Sequence, residues 1–137
     1  MSLFIASTPN TEKDDVLLAK RLVRGRNISE NSVEKLTTLY PKGLFFNRGR
    51  EAIFFLLRSL GLGEGDEIIL QPFTCIAVVA PIIGSNAKPI YVDIEKNTFN
   101  MDLNLLKKRI TKKTRLIIAQ HTFGNLLDME ALRDIVN

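Results

Sequence analysis

The sequence holds no tryptophan, two tyrosines, one cysteine and one histidine in 137 residues. A single cysteine excludes an internal disulfide framework and fits a reducing compartment, so a cytoplasmic protein is expected. One cysteine with one histidine leaves too few ligands for a structural zinc site, and no metal is expected. No apolar run approaches the roughly 20 residues that span a bilayer. Residues 1–10 lack the basic start and long apolar stretch of a secretory signal, so no membrane partner is expected. Charge of one sign is not concentrated either. The net charge is +4, and the densest basic group is Lys107, Lys108 and Arg109 with Lys112 and Lys113. That group reads as a solvated helix end and loop, not a nucleic-acid surface. Internal repeats and low-complexity segments are missing as well.

What is present suits one α/β domain with a core of ordinary size. Hydrophobic residues make up 45% of the chain and charged residues 25%, which is usual for a globular protein. After an irregular arm over residues 1–12, the spacing of Val16, Leu17, Leu18, Leu22 and Val23 predicts a helix over 14–24, stopped by Gly25. A second short helix is expected over 32–39, capped by Ser32 and broken by Pro41 and Gly43. From there the pattern alternates. Strands are expected over 43–46, 67–70, 89–92 and 115–120, and helices over 50–60, 74–83, 102–110 and 128–136. The helix over 50–60 is apolar nearly all round and should lie buried between layers. Pro81 is tolerated in its helix only near the end or as a kink. Asp102 is a candidate N-cap.

Strands apolar on both faces and alternating with helices imply a parallel sheet covered on both sides, a three-layer α/β/α arrangement. Ligands in such folds sit beyond the carboxyl ends of the strands. That edge gathers residues 47–50, 73–75 and 120–125 together with Asp93. The joint Asn47-Arg48-Gly49-Arg50 places a glycine where a helix opens. A helix start facing a strand end offers unpaired N–H groups and a positive dipole end, which suits phosphate. A plain strand–helix joint fits the same residues equally well.

Other residues have simpler readings. Taken alone, Cys75 reads as a buried apolar side chain. Its only conceivable acid–base partner in the chain is His121, and a cysteine hydrolase is not the favoured reading. His121 itself fits equally a ligand-edge residue and a loop histidine satisfied by backbone groups. Asp93 reads as a strand-end cap. Ser85-Asn86-Ala87-Lys88 has the Ser-x-x-Lys spacing of a known nucleophile, but it falls in a turn before a strand, not at a helix start, and is set aside.

Three stretches together carry a resemblance: Gly61-Leu-Gly-Glu-Gly-Asp-Glu-Ile-Ile-Leu-Gln-Pro-Phe-Thr-Cys-Ile-Ala-Val, then Ala87-Lys-Pro-Ile-Tyr-Val-Asp-Ile, then Ile110-Thr-Lys-Lys-Thr-Arg-Leu-Ile-Ile-Ala-Gln-His-Thr-Phe-Gly. In this order and spacing they resemble the DegT/StrS-type aminotransferases, fold-type-I pyridoxal-phosphate (PLP) enzymes, many of which act on keto-sugar nucleotides. The resemblance implies an incomplete PLP-binding large domain over 43–137, preceded by an arm and helices over 1–42. It implies PLP as cofactor, with amino transfer by exchange between PLP and pyridoxamine phosphate. Its implied partners are a sugar-nucleotide substrate, an amino donor and a second copy of the chain in a homo-oligomer.

By the same resemblance, Gly49 and Arg50 would hold the PLP phosphate through backbone N–H groups. Cys75 falls where the family usually places an aromatic ring on the pyridine, and Phe73 stands close enough to contribute instead. Asp93 and His121 would lie at strand ends around the pocket. No catalytic residue is assigned in this chain, because the family's Schiff-base lysine, its acidic partner of the pyridine nitrogen and its small domain all fall downstream of Asn137. The expectation is an N-terminal fragment that is inactive alone. The alternative is a small non-catalytic α/β domain that binds a phosphate-bearing ligand.

Overall fold

The computed structural model describes Glu34 and residues 37–136. These residues belong to two compact units that meet in sequence between Phe45 and Phe46. The arm and the helix expected over 14–24 lie outside the described residues, as does Ser32, the cap expected for the next helix. Within that next helix Glu34 and residues 37–39 are helical. The strand expected over 43–46 does not form, and among the described residues these four join no sheet. An apolar run favours burial, but an extended segment becomes a strand only when a ladder partner takes its N–H and C=O groups.

From Phe46 onward the order is α1 (Gly49–Ser59), β1 (Glu67–Leu70), α2 (Ile76–Gly84), β2 (Lys88–Tyr91), α3 (Leu103–Arg109), β3 (Thr114–Ile118) and α4 (Met129–Val136). A 3-10 turn at Thr122–Gly124 lies between β3 and α4. The three strands form one sheet in the order β2-β1-β3. Both pairings are parallel, with Ile69 opposite Ile90 on one side and Ile117 on the other.

Alternation along β1 decides the layers, because neighbouring side chains in a strand point to opposite faces. Ile68 and Leu70 face one way and meet Leu57 of α1 with Val79 and Ile82 of α2. Ile69 faces the other way and meets Leu106 of α3, Leu132 of α4, and Val92, Met101 and Leu127 from the loops. Each fully buried Ile or Leu of this kind contributes about 1.5–3 kcal/mol through removal from water. The result is the expected helix–sheet–helix sandwich with a parallel sheet.

Several boundaries shift by a residue or two, as helix and strand ends do. Three differences are larger in meaning. First, α1 is not buried all round. Leu57 is enclosed, whereas Phe55, Leu56 and Leu60 are each more than half exposed, at 56%, 51% and 54%. A helix on the outside of a sheet has only one side to bury, and among the described residues no second layer covers the other. Second, α2 begins after Cys75, not at Thr74, and Pro81 stands inside it with only Ile82, Ile83 and Gly84 following. Third, Cys75 is exposed and is no core residue. Its sulfur caps α2, accepting the Ala77 N–H at 3.5 Å.

Asp102 caps α3 as expected, its Oδ1 accepting the N–H groups of Asn104 and Leu105 at 2.8 and 3.1 Å. Asp128 does the same for α4 through Glu130 and Ala131. Ser85 is buried at the end of α2, where its hydroxyl donates to the Ile82 carbonyl, so it presents no nucleophile.

Candidate functional site

The carboxyl ends of the three strands lead into residues 71–75, 92–102 and 119–128. α2 departs from this edge, since it follows β1 directly. α1 feeds the amino end of β1 through the turn at 61–66, and a Cβ on Gly63 would come 3.2 Å from the Ser85 carbonyl that closes α2. The two helices therefore end together at the amino edge, and both start toward the carboxyl edge where ligands bind in such sheets.

At the start of α1, Arg48 is extended (φ −139°, ψ 139°) and its side chain makes no capping bond. Its carbonyl accepts the N–H groups of Glu51 and Ala52 at 3.0 and 3.3 Å. The first-turn N–H groups of Gly49 and Arg50 are left unpaired by the helix, together with the positive end of its dipole. Arg48 and Arg50 are both exposed and add positive charge there. At the start of α2 the weak sulfur cap is the only side-chain acceptor. No hydrogen bond among the described residues joins Gly49 or Arg50 to Cys75, Phe73, Asp93 or His121.

The loops after the strands are tied together by polar side chains. Gln71, fully buried just past β1, directs its Nε2 at the Phe73 carbonyl (3.0 Å), the Phe99 carbonyl (3.1 Å) and the Thr122 hydroxyl (3.0 Å). Asn100, also buried, accepts the Thr122 N–H at 2.8 Å and donates to the Asn125 carbonyl at 3.0 Å. Asn125 answers by donating to the Thr98 carbonyl. One residue from each loop also contributes a phenylalanine. The ring centroids of Phe73, Phe99 and Phe123 lie 5.9, 5.9 and 6.0 Å apart, two of the three contacts edge-on. These rings are not core: Phe73 is 46% exposed, Phe99 40% and Phe123 67%.

Two of the three phenylalanines hold left-handed backbone, Phe99 at φ 58° and Phe123 at φ 54°. Bulky side chains avoid that region, and each such residue costs about 1–3 kcal/mol and persists only where its surroundings over-determine it. Among the described residues, the buried side-chain atoms Gln71 Oε1, Thr74 Oγ1 and Gln120 Oε1 at the same edge have no partner within the protein. Buried polar groups are nearly always satisfied, so this concentration marks the edge as unlike the rest of the core.

The remaining residues singled out from the sequence have local roles. Asp93 accepts the Ile94 N–H through Oδ1 and the Asp102 N–H through its carbonyl, which fits a strand-end cap. His121 accepts the Leu127 N–H at Nδ1 (3.0 Å), so its ring proton is assigned to Nε2 and that nitrogen is the one left to face a ligand. This is the backbone-satisfied loop histidine considered from sequence. No hydrogen bond joins His121 to Cys75. Sequence reasoning missed Gln71, Asn100 and Phe99, and put Thr122 and Phe123 at the strand-end edge without giving them a role. The available signal was a polar residue ending an apolar strand, followed by two further aromatics beyond the next strand ends.

Comparison with known proteins gives a consistent result. A family profile described as "DegT/DnrJ/EryC1/StrS aminotransferase family" matches residues 12–137. The chain is 34% identical over 123 residues to a "Pleiotropic regulatory protein" of Geobacillus stearothermophilus, covering 89% of this chain and 33% of that protein. It is 37% identical over 89 residues to a "UDP-2-acetamido-2-deoxy-3-oxo-D-glucuronate aminotransferase" of Pseudomonas aeruginosa, covering 65% of this chain and 25% of the relative. Its structure is similar to a putative sugar aminotransferase, Spr1654 from Streptococcus pneumoniae in its PLP form, with a TM-score of 0.60 at 37% identity over 63% of this chain and 22% of the other. The chain thus spans a quarter to a third of the length of the curated relatives it matches.

Proposed function

The chain belongs to the DegT/DnrJ/EryC1/StrS aminotransferase family, and on that premise we propose that its carboxyl edge forms the phosphate-binding side of a PLP-dependent aminotransferase acting on a keto-sugar nucleotide. The observation that carries the proposal is the start of α1, where no side chain caps the helix among the described residues, the helix leaves the Gly49 and Arg50 N–H groups unpaired, and two exposed arginines stand beside them. The residues fit a phosphate-bearing planar group. Donors and positive charge stand at one helix start, and an exposed thiol stands at the other.

When bound, PLP supplies the electron sink for amino transfer. The chain's own residues bind and orient it. Gly49 and Arg50 hold the phosphate through their N–H groups, a charge-assisted contact stronger than a neutral hydrogen bond. Cys75 would pack against the ring face, where a thiol offers less area than an aromatic ring, and Phe73 would add apolar surface beside it. His121 through Nε2–H and Asp93 through its second carboxylate oxygen would be available as polar contacts for substrate. The proposed partners are a sugar nucleotide, an amino donor and a second copy of the chain, in the cytoplasm. Two sequence relatives are named for nucleotide-linked sugars, a UDP-sugar acid and GDP-perosamine, which supports that substrate class.

The test is Gly49→Pro. Proline at the first helical position keeps the helix and deletes one N–H, and the extended Arg48 before it already has the backbone proline requires. Fluorescence titration of the purified chain should show PLP and inorganic phosphate bound by the wild type and weakened about tenfold or more by the substitution, as expected for losing one hydrogen bond to a charged group. An unchanged affinity would place the phosphate elsewhere. No binding by the wild type would refute the reading of this edge.

A further inference from the structure

The three carboxyl-edge loops are joined through one buried side chain that the proposed cofactor contacts do not include. Gln71 is fully buried at the end of the central strand, and its Nε2 faces acceptors in all three loops: the Phe73 carbonyl after β1, the Phe99 carbonyl after β2 and the Thr122 hydroxyl after β3. Reversing the amide would aim its oxygen at two carbonyls, so the geometry itself assigns the nitrogen to this side. Two of these acceptors adjoin the strained backbone. Phe99 offers its own carbonyl and has φ 58°, and Thr122 directly precedes Phe123, at φ 54°. Left-handed aromatic residues persist only where their surroundings leave them no relaxed alternative. The amide supplies that constraint at the point where the loops converge, and Asn100 reinforces it through Thr122 and Asn125.

We propose that Gln71 is a positioning residue: its amide clamps the three loops in one arrangement and so sets Phe73, and with it the approach to Cys75, before any ligand arrives. The assignment of a ligand role rests on reading this edge as the cofactor edge, whereas the clamp itself does not. A clamp of this type raises affinity by removing the ordering cost from the binding step. It requires a donor at this position, so an apolar side chain of similar length is the informative replacement.

The experiment is hydrogen exchange on the full chain, comparing wild type with Gln71→Met and Thr122→Val, followed by titration with PLP well below the melting temperature. With Gln71→Met, exchange should accelerate at least tenfold at the Thr74, Phe99, Asn100, Thr122 and Gly124 amides relative to those of Ile68 and Ile69. With Thr122→Val, which removes one arm while keeping the shape, the acceleration should be smaller and centred on residues 122–125. Uniform acceleration throughout the sheet, or none at the loops, would overturn the clamp, because a merely structural glutamine would move all amides together. Gln71→Met should also weaken PLP at least tenfold. Equal affinity in the two proteins overturns the positioning role, while failure of the wild type to bind PLP refutes the cofactor reading and leaves the exchange data to decide the clamp. If Gln71→Met does not fold, Thr122→Val carries the same comparison.

Discussion

Replacing Asn100 with alanine tests whether the polar side chains at the carboxyl edge hold the fold as well as the loops. Asn100 is 1% exposed and serves two backbone groups from the loop after β3, accepting the Thr122 N–H at 2.8 Å and donating to the Asn125 carbonyl at 3.0 Å. Truncation to Ala removes both partners and leaves those groups unpaired. An unsatisfied buried polar group costs about 1–3 kcal/mol. Neither backbone group is as deeply buried as Asn100 itself, since Asn125 is exposed, so the lower half of that range applies to each and the total comes to about 2–4 kcal/mol. Against a typical domain stability of about 5–15 kcal/mol this is a large fraction.

In a unit of this size, it corresponds to a melting temperature lowered by roughly 10 °C or more. Thermal and urea unfolding of the whole chain, followed by circular dichroism, would measure it. The control is Asn125→Ala, whose exposed amide only donates to the Thr98 carbonyl and should cost less than about 1 kcal/mol. Equal effects of the two substitutions, or an Asn100→Ala cost within the few tenths expected at an open surface, would refute the claim that burial makes this side chain matter.

Three further outcomes follow from other parts of the fold. Ile69→Ala empties a fully buried site on the face shared by α3 and α4 and should destabilise by about 2–5 kcal/mol in a denaturant melt, whereas Leu56→Ala on the open side of α1 should change stability by well under half of that. Asp102→Ala removes the oxygen that serves both Asn104 and Leu105 N–H groups and should cost about 0.5–2 kcal/mol, most of it recovered by Asp102→Ser. Cys75→Phe should tighten PLP by about two- to tenfold in a fluorescence titration if that position faces the pyridine, because aromatic stacking is worth roughly 0.5–1.5 kcal/mol; no gain would remove Cys75 from the ring face.

The sandwich itself was legible because its signals are local. Ile68, Ile69 and Leu70 form an uninterrupted apolar run, and such a run in a chain that alternates with helices has few homes other than a parallel strand covered on both faces. Asp102 announced α3 because a carboxylate before a helical stripe has one common use. The failures share a physical cause, in that each depended on a partner distant in sequence. Residues 43–46 look like a strand, but a strand is made by its neighbour. The helix over 49–59 is apolar nearly all round along its middle, yet burial is decided by how many layers surround it. Cys75 reads from the sequence as a packing residue, but its sulfur is a cap because α2 starts at Ile76, two residues later than the expected 74. Gln71 showed in the sequence only as a polar residue ending an apolar strand; its role did not show, since two of its acceptors lie 28 and 51 residues away.

The same separation explains why the ligand edge is harder to read than the core. A core needs only apolar side chains of suitable size on the facing sides of its elements, and many sequences satisfy that. The edge instead needs particular atoms from three loops to meet. Here they meet through two buried amides, beside which the backbone at Phe99 and Phe123 is left-handed. Loops held only by their own turns would relax such residues, since nothing local rewards the strain. The strain therefore implies that the arrangement of Phe73, Phe99 and Phe123 is imposed by Gln71 and Asn100 from beneath. Loosening either amide should release the backbone of both left-handed phenylalanines together, a coupling that independent loops would not display.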